Sequence, residues 1–167
     1  MTIEVDGWKQ ALCKEHSCAC RLLSLIEAQQ ASIIGRDFDA LSENIAGQTA
    51  VVSDLFLAER ARKEAQSRLA VVLSVPAPGR RADIYARLPC DLVDEVEALV
   101  VLLQNAMAAS QRKFQQNVLL LSRSIELAQQ VLQRIGMTSP GRTYGAQGQE
   151  RVFTIPGKTL SRWTSVV

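Results

Sequence analysis

Between Asp91 and Ile135 the chain contains neither proline nor glycine. No other feature limits its fold as much. Proline would remove a backbone donor and clash with the preceding turn, and glycine would loosen the chain. Without either, one helix can run through. The apolar residues agree. Val93, Val96, Val100, Leu103, Met107, Phe114, Leu121, Ala128, Val131 and Ile135 recur at steps of three, four or seven, the period of a helix face packed along a partner. At 1.5 Å per residue, about 45 residues span about 68 Å. Pro89 and Asp91 open this helix, and Gly136 and Pro140 close it. Ser110, Asn117 and Ser124 occupy the same seam, seven residues apart. They read as small or register-setting residues that let a neighbouring helix approach.

A helix of that length needs partners of similar length, and short connections fold such helices back as antiparallel hairpins. Two earlier segments qualify. Over about 3–34, Trp8, Leu12, Ala19, Leu22, Ile26 and Ile33 share one side, and Gly35 offers a stop. Over about 38–75, Asp37 is the expected N-cap. The apolar stripe there is Phe38, Leu41, Ile45, Val52, Leu55, Leu69 and Leu73, interrupted by Gln48, Glu59, Arg62 and Gln66. Pro76, Pro78 and Gly79 end it. Residues 76–90 read as a linker with a short helical turn around Ile84 to Leu88. The expected fold is all-α: an elongated antiparallel bundle of three long helices over residues 1–136, followed by a mostly irregular, flexible tail over 137–167.

Composition narrows the function. Aromatics are 5% against 47% hydrophobic residues, so the core must be Leu, Val, Ile and Ala. A net charge of +2 is too weak to argue for a nucleic-acid partner. The basic clusters, ERARK at 59–63 and Arg80–Arg81, lack interleaved aromatics and read as solvated faces. No apolar run approaches the roughly 18 residues of a membrane span, so no membrane insertion is expected. The start carries Glu4 and Asp6 and shows no secretory pattern, so the expected location is the cytoplasm and the cysteines are expected as thiols.

CKEHSCAC, residues 13–20, invites a metal reading. Helix geometry opposes it. Cys13, His16 and Cys20 share a face, but Cys18 points elsewhere, and Cys13 and Cys20 are about 10 Å apart along the axis. The donors of one tetrahedral zinc must lie about 4 Å apart. Small surface or seam thiols account for the segment better, and no metal or cofactor is assigned. There is no phosphate-cradling glycine loop, no nucleophile elbow and no paired carboxylates in a cleft, so no catalytic residue is assigned and no enzyme is expected.

The end of the last helix is more apolar than a single packed face requires. Leu120, Leu121, Ile125, Leu127, Ala128, Val131, Leu132 and Ile135 cover an arc of about 180°, where about 100° suffices. Either two helices of the same chain cover both flanks, or one flank is a docking strip for a foreign helix. Leu119 lies off the arc. In the tail, VFTI at 152–155 could form a short strand that Pro156 and Gly157 break. Leu160 and Trp163 are spaced for one helical turn, and Tyr144 sits among glycines. Such aromatics favour contact.

Taken in order, LLSLIEAQQASIIGRDFDALSENIAGQTAVVSDLFLAERARKEA, NVLLLSRSIELAQQVLQRI and TYGAQGQ resemble the FlgN family of flagellar type III export chaperones for hook-filament junction proteins. The family's hairpin glutamate, and the small-and-acidic step near its bend, are matched by Glu27 and GRDFDAL. Its acid–arginine pair is matched by Glu59 with Arg60 or Arg62. Asn117 and Leu120 match its Asn-then-Leu step, and Tyr144, Gly145 and Gly148 its tyrosine–glycine step. Many members have lysine where Gln48 stands, and the cysteine-rich start fits no family pattern.

The resemblance covers most of residues 20–150. It implies a chaperone that binds the C-terminal helices of hook-associated junction proteins, prevents early polymerisation and delivers them to the export gate. On that reading Leu120, Ile125, Leu127, Val131, Leu132 and Ile135 contact the client, and Tyr144 docks on the gate's cytoplasmic domain. The chain would be a monomer or weak homodimer. The rival reading is a structural coiled-coil homodimerisation module without a client.

Overall fold

The computed structural model describes residues 2–76 and 79–135, together with the backbone of 143–144 and 150–151. Its elements are α1 (Thr2–Gly35), α2 (Phe38–Val72), α3 (Arg81–Tyr85), α4 (Cys90–Arg134), β1 (Thr143–Tyr144) and β2 (Glu150–Arg151). The chain divides into two units, Met1–Leu121 and Ser122–Val167. In the second, β1 pairs antiparallel with β2, Thr143 opposite Arg151 and Tyr144 opposite Glu150. The strand expected at 152–155 and the Leu160–Trp163 turn lie outside the described residues.

α1 and α2 are joined by a turn of two residues. Asp37 N–H donates to the Ser32 carbonyl at 3.0 Å and Arg36 N–H to the Ile33 carbonyl at 3.3 Å. This is the paired closure that satisfies the last carbonyls of a helix. It needs a left-handed residue, and Arg36 takes it at φ 56. Gly35, the expected stop, is still helical. Asp37 then caps the next helix, its Oδ1 accepting from Ala40 N–H at 3.0 Å. α2 ends the same way. Val75 N–H reaches the Ala70 carbonyl and Ser74 N–H the Val71 carbonyl, with Ser74 at φ 53.

The turn makes the pair antiparallel. As the α1 partner descends from Ser32 through Arg21 and Glu15 to Glu4, its α2 partner climbs from Asn44 through Asp54 and Arg62 to Arg68. These two helices approach closely, with Cα atoms within 8 Å of each other. Small buried residues, Ala19, Ala58 and Ala65, permit this. Val5, Trp8, Leu12, Leu22 and Ile26 fill the core from α1, and Val51, Leu55 and Leu69 from α2. The expected α2 stripe is corrected here: Phe38 is 75% exposed and Ile45 50%. Leu55 and Leu69 of that stripe are buried and Val52 and Leu73 pack at its edge, and the small Ala58 and Ala65 join them.

The expected linker, with its helical turn around Ile84 to Leu88, carries a short helix that begins earlier, at Arg81. α3 is anchored by Ile84, which is fully buried, and by Leu88 behind it. Burying one such side chain stabilises by about 1.5–3 kcal/mol. Tyr85 lies 6.3 Å from Trp8, centroid to centroid, at 44°, and its hydroxyl donates to Glu97 at 2.8 Å. Burial, and then Glu97, push that phenol up to about 12. Arg87 donates to the Leu73 and Ser74 carbonyls, quenching the end of α2. Gly79 closes the turn between α2 and α3 at φ +62, and a Cβ there would sit 2.8 Å from the Ala70 Cβ.

Two stability predictions follow from this packing. Gly79→Ala combines left-handed strain with a clash and should cost about 1–3 kcal/mol. Gly7→Ala, in open space within α1, should gain about 0.5–1 kcal/mol. Urea denaturation giving both changes the same sign would contradict the packing described.

The second concerns Glu15, which pairs with Arg62 in the partly buried α1–α2 seam. Burial raises its carboxyl above the ordinary 4.5, and Arg62 offsets that only in part. The folded state therefore holds this proton more tightly than the unfolded chain does. The resulting stabilisation is full below the unfolded value and is lost as pH rises through the folded one. Against Glu15→Gln, the unsubstituted protein should be favoured most near pH 4 and progressively less toward neutrality. A stability difference that grows with pH would mean that Arg62 outweighs burial.

Candidate functional site

α4 has a seam with two characters. In the first unit Val96, Val100, Leu103, Ala106, Ser110 and Asn117 are buried, and Val93 and Met107 pack at its edge. The partner is α1, and it runs parallel. Lys9 pairs with Glu95, Gln29 with Asn117 and Gln30 with Lys113.

The seam turns polar toward the α1–α2 turn. Asn117 donates through Nδ2 to the Ile26 carbonyl at 2.8 Å and to Gln29 Oε1 at 2.9 Å. Asn44 donates to Ser32 Oγ at 3.2 Å. Ser110 bonds back to the Ala106 carbonyl. The expected register role of Asn117 thus has a physical basis: a buried amide reaching across to α1 penalises any other alignment. Its Oδ1 and the Nε2 of Gln48 are buried without a partner.

In the second unit the described residues of α4 change character. Residues 122–131 are all exposed. Of the six residues expected to contact a client, Ile125 is 51% exposed, Leu127 59%, Val131 57% and Ile135 63%. Leu132 is half-buried, as is Leu120, which belongs to the first unit and is engaged in an interaction of its own. The first unit adds exposed Phe114, Val118 and Leu119 near its end. Sequence reading placed Phe114 in the packed seam. Its step of seven from Met107 was the signal, but α1 offers polar residues at that level.

Tyr144, the expected gate contact, lies in β1. Its side chain, and Gly145 and Gly148, lie outside the described residues. The basic cluster at 59–63 is tied up in ion pairs, Arg60 with Glu64, Lys63 with Glu59 and Arg62 with Glu15. The cysteines are free thiols; Cys13, Cys20 and Cys90 are exposed and Cys18 is buried. Among the described residues no three His, Cys, Asp or Glu side chains converge as a metal site, and no helix is long and apolar enough to cross a membrane.

An exposed apolar strip with polar neighbours is the kind of surface that covers the apolar face of another helix. The family profile described as FlgN protein matches residues 1–151. No curated protein and no solved structure matches the chain.

Exposure of the strip has a measurable corollary. Ile125→Ser, Leu127→Ser and Val131→Ser should each change the unfolding free energy by less than about 0.5 kcal/mol, whereas Leu103→Ala should cost about 2–5 kcal/mol. Thermal denaturation of the four variants tests this. A large loss at Leu127 or Val131 would mean that the strip is structural.

Proposed function

This chain belongs to the FlgN family of flagellar export chaperones, and on that premise we propose that it binds the C-terminal helices of hook-associated junction proteins in the cytoplasm, keeps them from polymerising early and delivers them to the type III export gate. The observation that carries this reading is the exposure of Ile125, Leu127 and Val131 on late α4 and of Ile135 just past its end. Successive spacings of two, four and four residues suit a client helix that presents anchors at steps of three and four. Leu132 belongs to the same proposed client surface, and Leu120, in the first unit, is proposed as a further client contact. Each side chain newly buried contributes up to about 1.5–3 kcal/mol before the cost of association is met. Affinity then depends on how well a few anchors fit.

Tyr144 is the proposed contact to the gate's cytoplasmic domain. A lone tyrosine supplies apolar area with few rotors to freeze, and glycines beside it let the backbone turn. A contact carried outside the client strip allows both partners to be held at once, as a delivery step requires.

The proposal separates two sites, and calorimetry on the full chain tests that separation. A peptide spanning a junction protein's C-terminal helix should bind at least tenfold more weakly to Val131→Asp. Tyr144→Ala should leave that peptide's affinity within error while weakening binding to the gate domain. Equal loss of both ligands in Tyr144→Ala would remove the division of labour. A tight homodimer by sedimentation, unaffected by the peptide, would favour the coiled-coil module instead.

A further inference from the structure

Ile125, Leu127 and Val131 are exposed on late α4, and Ile135 just past its end. Farther along the same unit, β2 pairs antiparallel with β1, Arg151 opposite Thr143 and Glu150 opposite Tyr144. The chain therefore leaves β2 heading back along the line of β1, the element that follows α4. We propose that residues 152–167 fold back onto Ile125, Leu127, Val131 and Ile135 and cover them until a client helix takes their place. This closed state is in equilibrium with the open one described above, and it presupposes that the strip is the client surface.

The length of chain suffices. Eight Cα steps separate Ile135 from Thr143, at most about 29 Å of chain. Arg151 lies beside Thr143, about 5 Å away as antiparallel partners do. Arg151 is thus no more than about 34 Å from Ile135. Residues 152–167 extend to about 53 Å, and the strip from Ile125 to Ile135 is about 15 Å long. The segment can reach the strip and run along it.

Its chemistry suits an apolar partner. Phe153, Ile155, Leu160 and Trp163 supply anchors, and the segment contains no Asp or Glu, so no carboxylate loses water on closure. Lys158 and Arg162 are long enough to keep their charges in solvent. A second copy of the chain competes poorly for the strip, because a tethered segment acts at an effective concentration in the millimolar range. A client must displace the segment, so its apparent affinity falls by the fraction of chains that are open. The strip is thereby kept from indiscriminate apolar contacts while no client is present.

Trp163 reports on closure. Its emission is the difference between the full chain and Trp163→Phe, since Trp8 is common to both. Without client it should lie at shorter wavelength than that of a solvated indole, and Val131→Asp should move it to the solvated position. The full-length double variant Phe153→Ser, Trp163→Ser should bind a peptide from a junction protein's C-terminal helix about three- to thirtyfold more tightly than the unsubstituted chain. Circular dichroism checks that α4 persists. Solvated emission in the unsubstituted chain, emission unmoved by Val131→Asp, or unchanged peptide affinity in the double variant would each overturn the closure. An emission shift that depends on protein concentration would assign the strip to a second copy and overturn it too. Emission that responds to Val131→Asp, in a chain that binds no peptide in any variant, would uphold the closure and remove the client reading instead.

Discussion

Asp37 belongs to two helices at once. Its amide closes α1 on the Ser32 carbonyl and its carboxylate opens α2 on the Ala40 amide. With only Arg36 and Asp37 between the helices, there is no slack to slide one past the other. Every cross-pair from Ser32–Asn44 down to Glu4–Arg68 inherits that register. The alanines that admit close approach, Ala19 on α1 and Ala58 and Ala65 on α2, are buried in this alignment. α4 is then laid against a groove whose geometry is already decided.

The second constraint is polar. Near the turn, Gln29, Ser32 and Asn117 are buried where leucines could stand. An unmatched amide in such a place costs about 1–3 kcal/mol. The hydrogen bonds of Asn117 to α1 therefore discriminate against misaligned α4 more than they add net stability. The apolar end has the complementary character. Trp8, Leu69, Ile84 and Val96 are all but inaccessible to solvent, and α3 is folded over them by its own apolar side chains rather than by helix propensity, since five residues cannot sustain a helix alone.

Much of this was legible before any coordinates. α4 follows from the absence of glycine and proline over 91–135, whereas α1 and α2 run on through Gly7 and Gly47. Trp8, Leu12, Ala19, Leu22 and Ile26 were readable as the inner face of α1, because a period of 3.6 residues admits few alternatives. On α2 Leu55 and Leu69 were read correctly as buried, while hydrophobic size drew attention to the exposed Phe38 and Ile45 and away from the buried Ala58 and Ala65. Arg36 in the left-handed position was invisible beside Gly35, the residue type that favours it. A short turn around Ile84 was legible, but that α3 begins at Arg81 and that Ile84 is fully buried was not, because both depend on tertiary packing. On late α4 the width of the apolar arc was legible. Which of its members stay exposed was not, because a sequence period gives the faces of a helix and not what covers them.

The unequal ends of the first unit bear on how it comes apart. Apolar burial carries a large heat capacity and stiffens against water entry, whereas amide pairs can trade partners with solvent one bond at a time. Backbone amides around Ser32, Asn44 and Asn117 will thus exchange their hydrogens through small local openings, while those beside Trp8 and Leu69 wait for the whole unit to unfold. The chain carries its own hinge side and its own latch.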